Sequence, residues 1–447
     1  MSQHSQFHLL GTRRFLPFFL TQLLGAFNDN VFKQALVLAI LYKLGTTADV
    51  SLLVNLCALL FILPFFLFSA LGGQLGEKYE KAWLIRRVKF AEIVIMLAGA
   101  LGMLLGNLPL LLVVLFFMGS QSALFGPVKY SILPQQLRSD ELVGGNALVE
   151  MGTFLAILGG TIAAGILMGQ ADYAALVAVA VVSLAIAGYV FSRAIPLSAA
   201  ALPSLTVDWN LLRQSLDILR LGLGQQRAVS RAMIGNSWFW FLGAVYLTQI
   251  PAFSRDLLRG DEGVVTLILA VFSVGIALGS MLCERLSRHR LELGLVPFGA
   301  LGLTLFGVLL WWHAEGASGV AEVRDWQALL ADPAAWLVLI DILGLGTFGG
   351  LYIVPLYALI QARTPQQERS RVVAANNILN ALFMVVSAVV SILFLSVAGL
   401  TIPQLFLAVA LLNVVVAGWI FCSVPEFVVR LRLWLLSAGG QPPASSS

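Results

Sequence analysis

Gly72-Gly73-Gln74-Leu75-Gly76-Glu77-Lys78 returns, 207 positions later, as Gly279-Ser280-Met281-Leu282-Cys283-Glu284-Arg285. Glycine, leucine, acid and base stand in matching places, and each copy closes a long apolar run. Further matches follow in the same order. Phe125-Gly126-Pro127-Val128 corresponds to Ile353-Val354-Pro355-Leu356, and Gly145-Asn146 to Ala375-Asn376. The offset widens between the first match and the later ones, and a longer loop at about 314–333 takes up the difference. A chain that repeats its plan with the same order and polarity predicts two halves in the same orientation.

The composition says what solvent these halves meet. Of 447 residues, 59% are hydrophobic and only 11% are charged, against about 25% charged in soluble domains. Runs long enough to span a bilayer as helices fall at about 15–42, 50–76, 83–106, 109–133, 142–168 and 171–194. A polar, arginine-bearing segment covers about 195–226. Six more runs follow at about 227–250, 263–284, 291–313, 334–361, 371–397 and 401–424. The predicted organisation is an all-α integral membrane protein of 12 transmembrane helices in two six-helix repeats. The halves are 1–194 and 227–424, joined by a linker at 195–226 and followed by a tail at 425–447. Thr12-Arg13-Arg14-Phe15-Leu16 has the look of a twin-arginine export signal, but the apolar run continues past Phe27-Asn28-Asp29-Asn30 to about Tyr42. It reads as the first span rather than as a cleaved signal peptide.

Charge placement fixes the expected orientation. Most of the 27 Lys and Arg residues fall on one side, including Lys78, Lys81, Arg86, Arg87 and Lys89 around the second loop. The other side holds Lys43, Arg255, Arg259 and Arg324. The positive-inside rule then puts both termini in the cytoplasm. Lys33 and Lys129 remain inside predicted spans, with Asp29, Glu92, Glu150 and Asp341. Charges there are costly and normally face a cavity or a partner, which makes them the functional candidates. Asp29 and Lys33 are one helical turn apart and can equally neutralise each other. Cys57, Cys283 and Cys422 lie far apart in apolar runs and read as small packing residues. No metal-ligand cluster, nucleophile–base pair or phosphate loop occurs, so neither a cofactor nor an enzyme is expected.

Four stretches carry a resemblance. They are Leu24-Gly25-Ala26-Phe27-Asn28-Asp29-Asn30 in span one, Gly126-Pro127-Val128-Lys129-Tyr130-Ser131-Ile132-Leu133 ending span four, Asn146-Ala147-Leu148-Val149-Glu150 opening span five, and Gly235-Asn236-Ser237-Trp238-Phe239-Trp240-Phe241-Leu242-Gly243-Ala244 opening span seven. Together they resemble bacterial lysophospholipid transporters of the major facilitator superfamily, most of all the transporter half of proteins fused to a glycerophospholipid acyltransferase. The second loop is similar to that superfamily's signature, Gly-x-Leu-x-Asp-(Arg/Lys)-x-Gly-(Arg/Lys)-(Arg/Lys). Gly73, Leu75, Lys78 and Lys81 match it, whereas Glu77, Glu80 and Ala82 depart from it.

The resemblance implies inward flipping of lysophospholipids such as lysophosphatidylethanolamine across the bacterial inner membrane, by alternating access, for reacylation. The acyltransferase itself is not expected in this chain. Its His-x-x-x-x-Asp motif fails at all four histidines, because Leu9, Arg13, Gly294 and Ser318 stand five residues beyond His4, His8, His289 and His313. An acyltransferase, fused or separate, remains an implied partner beside membrane lipids and the lysophospholipid itself. The headgroup carries a phosphate and an ammonium. Lys129, with Lys33 second, suits the phosphate, and Asp29 and Glu150 suit the ammonium or a role as gating partners. Asn28 and Tyr130 add hydrogen bonds, and Trp238, Phe239 and Trp240 suit the acyl-chain side. Glu77, Lys78, Lys81, Glu284 and Arg285 are the expected gating residues. Two alternatives stay open: a multidrug or small-solute exporter on the same fold, and a non-transporting membrane platform for an acyltransferase.

Overall fold

The computed structural model describes residues 6–44, 50–287, 290–316 and 323–438. His4, His289 and Ser318 of the histidine reading, and the terminal Gln-Pro-Pro-Ala-Ser-Ser-Ser, lie outside the described residues. The described chain is helical, with twelve long helices in the order the apolar runs predict. They are α1 (Leu16–Tyr42), α2 (Val50–Lys78), α3 (Lys81–Leu105), α4 (Leu108–Ser131), α5 (Leu142–Met168) and α6 (Tyr173–Ser192). Then come α7 (Arg227–Asp256), α8 (Glu262–Ser287), α9 (Leu295–Gly316), α10 (Pro333–Arg363), α11 (Arg369–Ile392) and α12 (Ile402–Ser423).

Local chemistry sets where these helices begin and end. Glu80, which stands at a signature glycine, N-caps α3 by accepting from the Ala82 and Trp83 amides at 2.8 and 2.6 Å. Gly106, at φ 60°, closes the same helix in the left-handed region. Asn107 then caps α4 by accepting from the Leu110 amide, and Thr401 and Gln404 form a capping box at the start of α12. Among the described residues ten helices are long and apolar enough to cross a membrane. The exceptions among the twelve are α1 and α7, the first helix of each repeat. They carry the polar stretches around Asn28-Asp29-Asn30 and Asn236-Ser237, and polarity is tolerated in a bilayer only where it faces protein or a water-filled cavity.

The helices group into two compact units. One comprises the residues up to Gln225 with Gln361–Ala381; the other comprises Gln226–Ile360 with the residues from Leu382 on. In the first, Phe32, Leu36, Met96, Leu115, Met118 and Val181 from α1, α3, α4 and α6 form a buried apolar core. In the second, Tyr246 and Phe253 of α7 meet Phe406 of α12 as tilted rings with centroids 5.0 and 5.5 Å apart. The repeated glycine has the same task in each unit. A Cβ on Gly72 of α2 would meet the α4 backbone at Leu124 O, 2.8 Å away. A Cβ on Gly279 of α8 would collide with the α10 backbone at Thr347 O. Removing the side chain lets the paired helices touch along their backbones.

Two shorter helices lie outside the spans: the apolar-basic stretch of the tail through Leu436 reads as an interfacial helix in the sequence, whereas the linker helix is not legible there. The linker carries the helix Leu211–Leu223, capped by Asn210, and the tail carries the helix Glu426–Ala438, whose Trp434 donates to Leu286 O at 3.0 Å. Both are too short and too charged to stand out as spans. The packing reading of the cysteines fits Cys57 and Cys283, which are buried, but not Cys422, which is exposed on α12.

Candidate functional site

The polar turn of α1 is the centre of the first unit's buried chemistry. Asn28 is fully buried, and its Nδ2 donates to Glu92 Oε1 of α3 at 3.0 Å. Asp29 is buried, and its Oδ2 accepts from the Ser122 hydroxyl of α4 at 2.5 Å. Asn28 Oδ1 and Asp29 Oδ1 are buried without a hydrogen-bond partner. One helical turn further along α1, Lys33 does not pair with Asp29. Its Nζ lies 5.0 Å from the centre of the Phe61 ring, so mutual neutralisation through a direct ion pair is not realised.

Lys129 and Glu150 lie on the facing helices α4 and α5. Lys129 Nζ donates to Thr153 Oγ1 at 2.9 Å and sits 5.1 Å from the Tyr130 ring centre. Glu150 is fully buried and accepts from the Tyr130 hydroxyl at 2.6 Å. The Thr153 hydroxyl stands 2.8 Å from Val149 O of its own helix and 3.2 Å from Gln22 Oε1 of α1, which sets α1 beside this pair. Asp29, Lys129 and Glu150 thus share one feature: each is hydrogen-bonded to a neutral hydroxyl. Opposite charges stand nearby, Lys33 and Lys89 near Asp29 and Lys129 near Glu150.

Glu92 and Lys89 contrast with these three. Lys89 Nζ is 2.6 Å from Glu92 Oε2, and both side chains are almost wholly buried. Counting charges along the sequence assigns Lys89 to the surface loop between spans two and three. The structure corrects this: Lys89 lies more than two turns inside α3, so it is buried with its neutralising partner rather than held in water. The signal is present in Glu92, three residues on, where an acid and a base share a helix face. Lys89 also reaches α1 and α4. Its Nζ lies 4.8 Å from the Phe125 ring centre, and a Cβ added to Gly25 would collide with that Nζ. Gly25 leaves the room that the lysine fills.

The expected gating residues separate into two groups. Glu77, at the end of α2, is fully buried. It accepts from the Arg371 amide at 3.1 Å and from Arg371 Nε at 2.6 Å. Arg371 is in the first turn of α11, within the first unit, a partner 294 residues away that no local pattern reveals. Lys81 is buried at the start of α3, and Lys78 Nζ stands 5.8 Å from the Tyr79 ring centre. The same segment adds the reciprocal amide pair Asn146–Gln361, with both bonds at 2.8 Å, and the Ser370–Ser131 hydroxyl contact at 2.9 Å. In the second unit Glu284 is buried at the end of α8, and Arg285 is exposed.

The aromatic group of α7 belongs to the second unit. Trp238 stacks on Phe241 with centroids 4.6 Å apart and donates to Asn413 of α12 at 2.8 Å. Phe239 is buried, while Trp240 is half-buried and meets Phe239 edge to face at 6.0 Å. Asp341, the buried acid of α10, faces His313 Nδ1 of α9 at 2.6 Å. The structure therefore sets Asn28 and Asp29 against Glu92 of α3 and Ser122 of α4, groups Lys129, Tyr130 and Glu150 across α4 and α5, and sets Trp238, Phe239 and Trp240 in the other unit. No group of three or more metal-ligating side chains occurs among the described residues.

Comparison with known proteins bears on this arrangement. The sequence pattern of the Major Facilitator Superfamily matches residues 18–387. The lysophospholipid transporter LplT of Escherichia coli (strain SE11) is 30% identical over 347 residues, covering 76% of this chain and 78% of that protein. The transporter of the same name from Salmonella heidelberg (strain SL476) is 29% identical over 351 residues, covering 78% and 79%. Among solved structures, the human organic anion transporter MFSD10 (TETRAN) superposes with a TM-score of 0.68 at 12% identity, covering 94% of this chain and 99% of that one. A variant of the E. coli fucose:proton symporter FucP gives 0.66 at 12% identity, covering 92% and 99%. Likenesses at that identity speak for the fold alone.

Proposed function

We propose that this chain, which belongs to the Major Facilitator Superfamily and within it to the family of the LplT lysophospholipid transporters, moves lysophospholipids such as lysophosphatidylethanolamine inward across the bacterial inner membrane. It is a multi-pass membrane transporter and not an enzyme. Its two halves, 1–194 and 227–424, work by alternating access, with both termini in the cytoplasm. The observation that carries the reading is the set of hydroxyl-held charges on α1, α4 and α5, in a chain whose curated relatives are named for this substrate.

Moving a bare phosphate or ammonium through hydrocarbon costs several kcal/mol or more per ion. Fixed opposite charges lower that barrier, provided they are not already neutralised. Lys129 takes the phosphate, with Lys33 second. Asp29 and Glu150 take the ammonium, and Asn28 and Tyr130 supply hydrogen bonds. The acyl tail needs no polar route and runs along apolar surface, with Trp238, Phe239 and Trp240 on that side. Glu77 with Arg371 latches the cytoplasmic side, Lys78 and Lys81 support it, and Glu284 with Arg285 forms the equivalent group of the second half. An acyltransferase that consumes the product completes the expected partnership.

The test is uptake of labelled lysophosphatidylethanolamine into liposomes carrying the purified chain, with and without imposed proton and sodium gradients. Uptake above protein-free liposomes supports the reading. Transport of cationic amphiphiles without lysophospholipid would favour an exporter. Capture of an acyltransferase without any flux would favour a platform.

A further inference from the structure

We propose that the linker helix Leu211–Leu223 is a membrane-interfacial element whose partner is a phospholipid monolayer, with acyl chains against its leucines and headgroup phosphates against its arginines. The helix carries three stripes. Gln214 and Ile218 are buried, one turn apart, and face α2. Leu212, Leu216 and Leu223 form a second stripe, exposed by 71%, 56% and 44%, and Trp209 just before the cap is exposed by 70%. Arg213, Asp217 and Arg220 form the third. Leucines at this spacing form an apolar stripe with no partner among the described residues, as on a helix lying in a bilayer surface.

Its depth along α2 identifies what covers the leucines. The linker descends beside that helix in steps. The Leu202 amide donates to Glu77 O at 2.9 Å, the Asp208 amide donates to Gln74 Oε1 at 3.1 Å, Gln214 bonds Gln74, and the Ser215 hydroxyl donates to Phe66 O at 2.8 Å. Within the apolar run at about 50–76, the part rich in bulky apolar side chains ends at Leu71, before Gly72-Gly73-Gln74. Phe66 lies five residues inside that limit, about 8 Å at the helical rise. Interfacial helices bury their apolar face about 5–10 Å below the headgroup boundary. At this level the neighbour of an exposed leucine beside a transmembrane helix is acyl chain. The arginines sit on the flank turned away from α2. Arg213 and Arg220 both lean on Asp217, at 3.7 and 3.1 Å, with all three side chains more than half exposed. Exposed ion pairs of this kind are weak, and they exchange readily for the phosphates of anionic lipids.

The test is a nitroxide scan. Single cysteines are placed at 209, 212, 213, 216, 217, 220 and 223 in the full chain, with Cys57, Cys283 and Cys422 replaced by serine, and the protein is reconstituted in nanodiscs of zwitterionic lipid with or without phosphatidylglycerol. Labels at 209, 212, 216 and 223 should be accessible to oxygen and shielded from a water-soluble nickel chelate severalfold more than labels at 213, 217 and 220. Phosphatidylglycerol should deepen that contrast, and the variants Arg213→Gln and Arg220→Gln should remove the lipid dependence. Equal chelate access at all positions would overturn the proposal. So would dipolar broadening at 212 and 216, which would mean that a second copy of the chain covers the leucines. The labelled sites are exposed, so the fold is preserved, and an unchanged unfolding temperature checks this.

Discussion

Lys89 and Glu92 form the buried ion pair on which the geometry of the α1 polar turn depends, and breaking it from either side has a calculable effect. The pair is 2.6 Å long with side chains 1% and 2% exposed. At that distance and an effective dielectric of about 20, the attraction is about 6 kcal/mol. Desolvating the two ions offsets most of it. Removing one partner leaves the other charge buried alone, at a cost of about 3–5 kcal/mol. For a unit of this size that is a fall of about 6–20 °C in unfolding temperature. Lys89→Met and Glu92→Gln should each show it. The double variant removes both charges and should recover at least about 2 kcal/mol relative to the sum of the single effects. The assay is thermal unfolding of detergent-purified protein, with all four forms in one buffer. Single variants within about 0.5 kcal/mol of the starting protein, or a strictly additive double, would refute the claim that this pair is buried and mutually neutralising.

Three further outcomes follow from the same structure. Gly279→Ala drives a Cβ into Thr347 O and should force α8 from α10, lowering folded yield sharply. Gly418→Ala on α12 meets nothing within 4 Å and should shift stability by no more than about 1 kcal/mol; similar unfolding temperatures for the two would contradict the close-approach reading. Arg371→Ala leaves fully buried Glu77 without its base, whereas Glu77→Ala leaves an Arg371 side chain that is 22% exposed. The first should therefore destabilise more than the second, by unfolding in detergent, and the reverse order would be inconsistent with the observed burial. Arg14 pairs with Glu141 through two contacts of 2.5 Å. Burial pushes the Glu141 carboxyl up, but the Arg14 hydrogen bond, the Arg138 amide and both guanidiniums together hold it below its ordinary 4.5. The folded form therefore binds its proton less readily than the unfolded form. The stabilisation is present above about pH 4.5 and is lost as pH falls through the lower folded value, up to about 1 kcal/mol. Glu141→Gln should flatten that acid limb of the stability profile, and an unchanged acid limb would argue against the pair.

Most of the helical framework is legible in the sequence because apolar runs of spanning length have few other uses. The helices start and stop within a few residues of those runs, and the repeat identifies Gly72 and Gly279, whose equivalence the packing explains. The site is less legible for a physical reason. A base near a span end looks the same whether it snorkels into water or is buried against an acid, so Lys89 reads as surface charge. Asp29, Lys129 and Glu150 are recognisable as charges in apolar runs, and Tyr130 through the stretch that ends span four, but the hydroxyl partners Ser122 and Thr153 are not, since serine and threonine are common in such helices. No local rule pairs Arg371 with Glu77. The linker helix is hidden by its brevity and by arginines that read as a polar loop.

The central claim is that hydroxyl-held charges on α1 and α4 carry the two ends of a lysophospholipid headgroup. The most direct measurement is initial uptake of radiolabelled lysophosphatidylethanolamine, and of a phosphate-free amphiphile, into liposomes holding equal amounts of folded starting protein, Asp29→Ala or Lys129→Ala. The account predicts that both variants lose most lysophospholipid uptake, and that Lys129→Ala spares the phosphate-free amphiphile. Uptake by both variants at the rate of the starting protein, or equal impairment of both cargoes by Lys129→Ala, would contradict it.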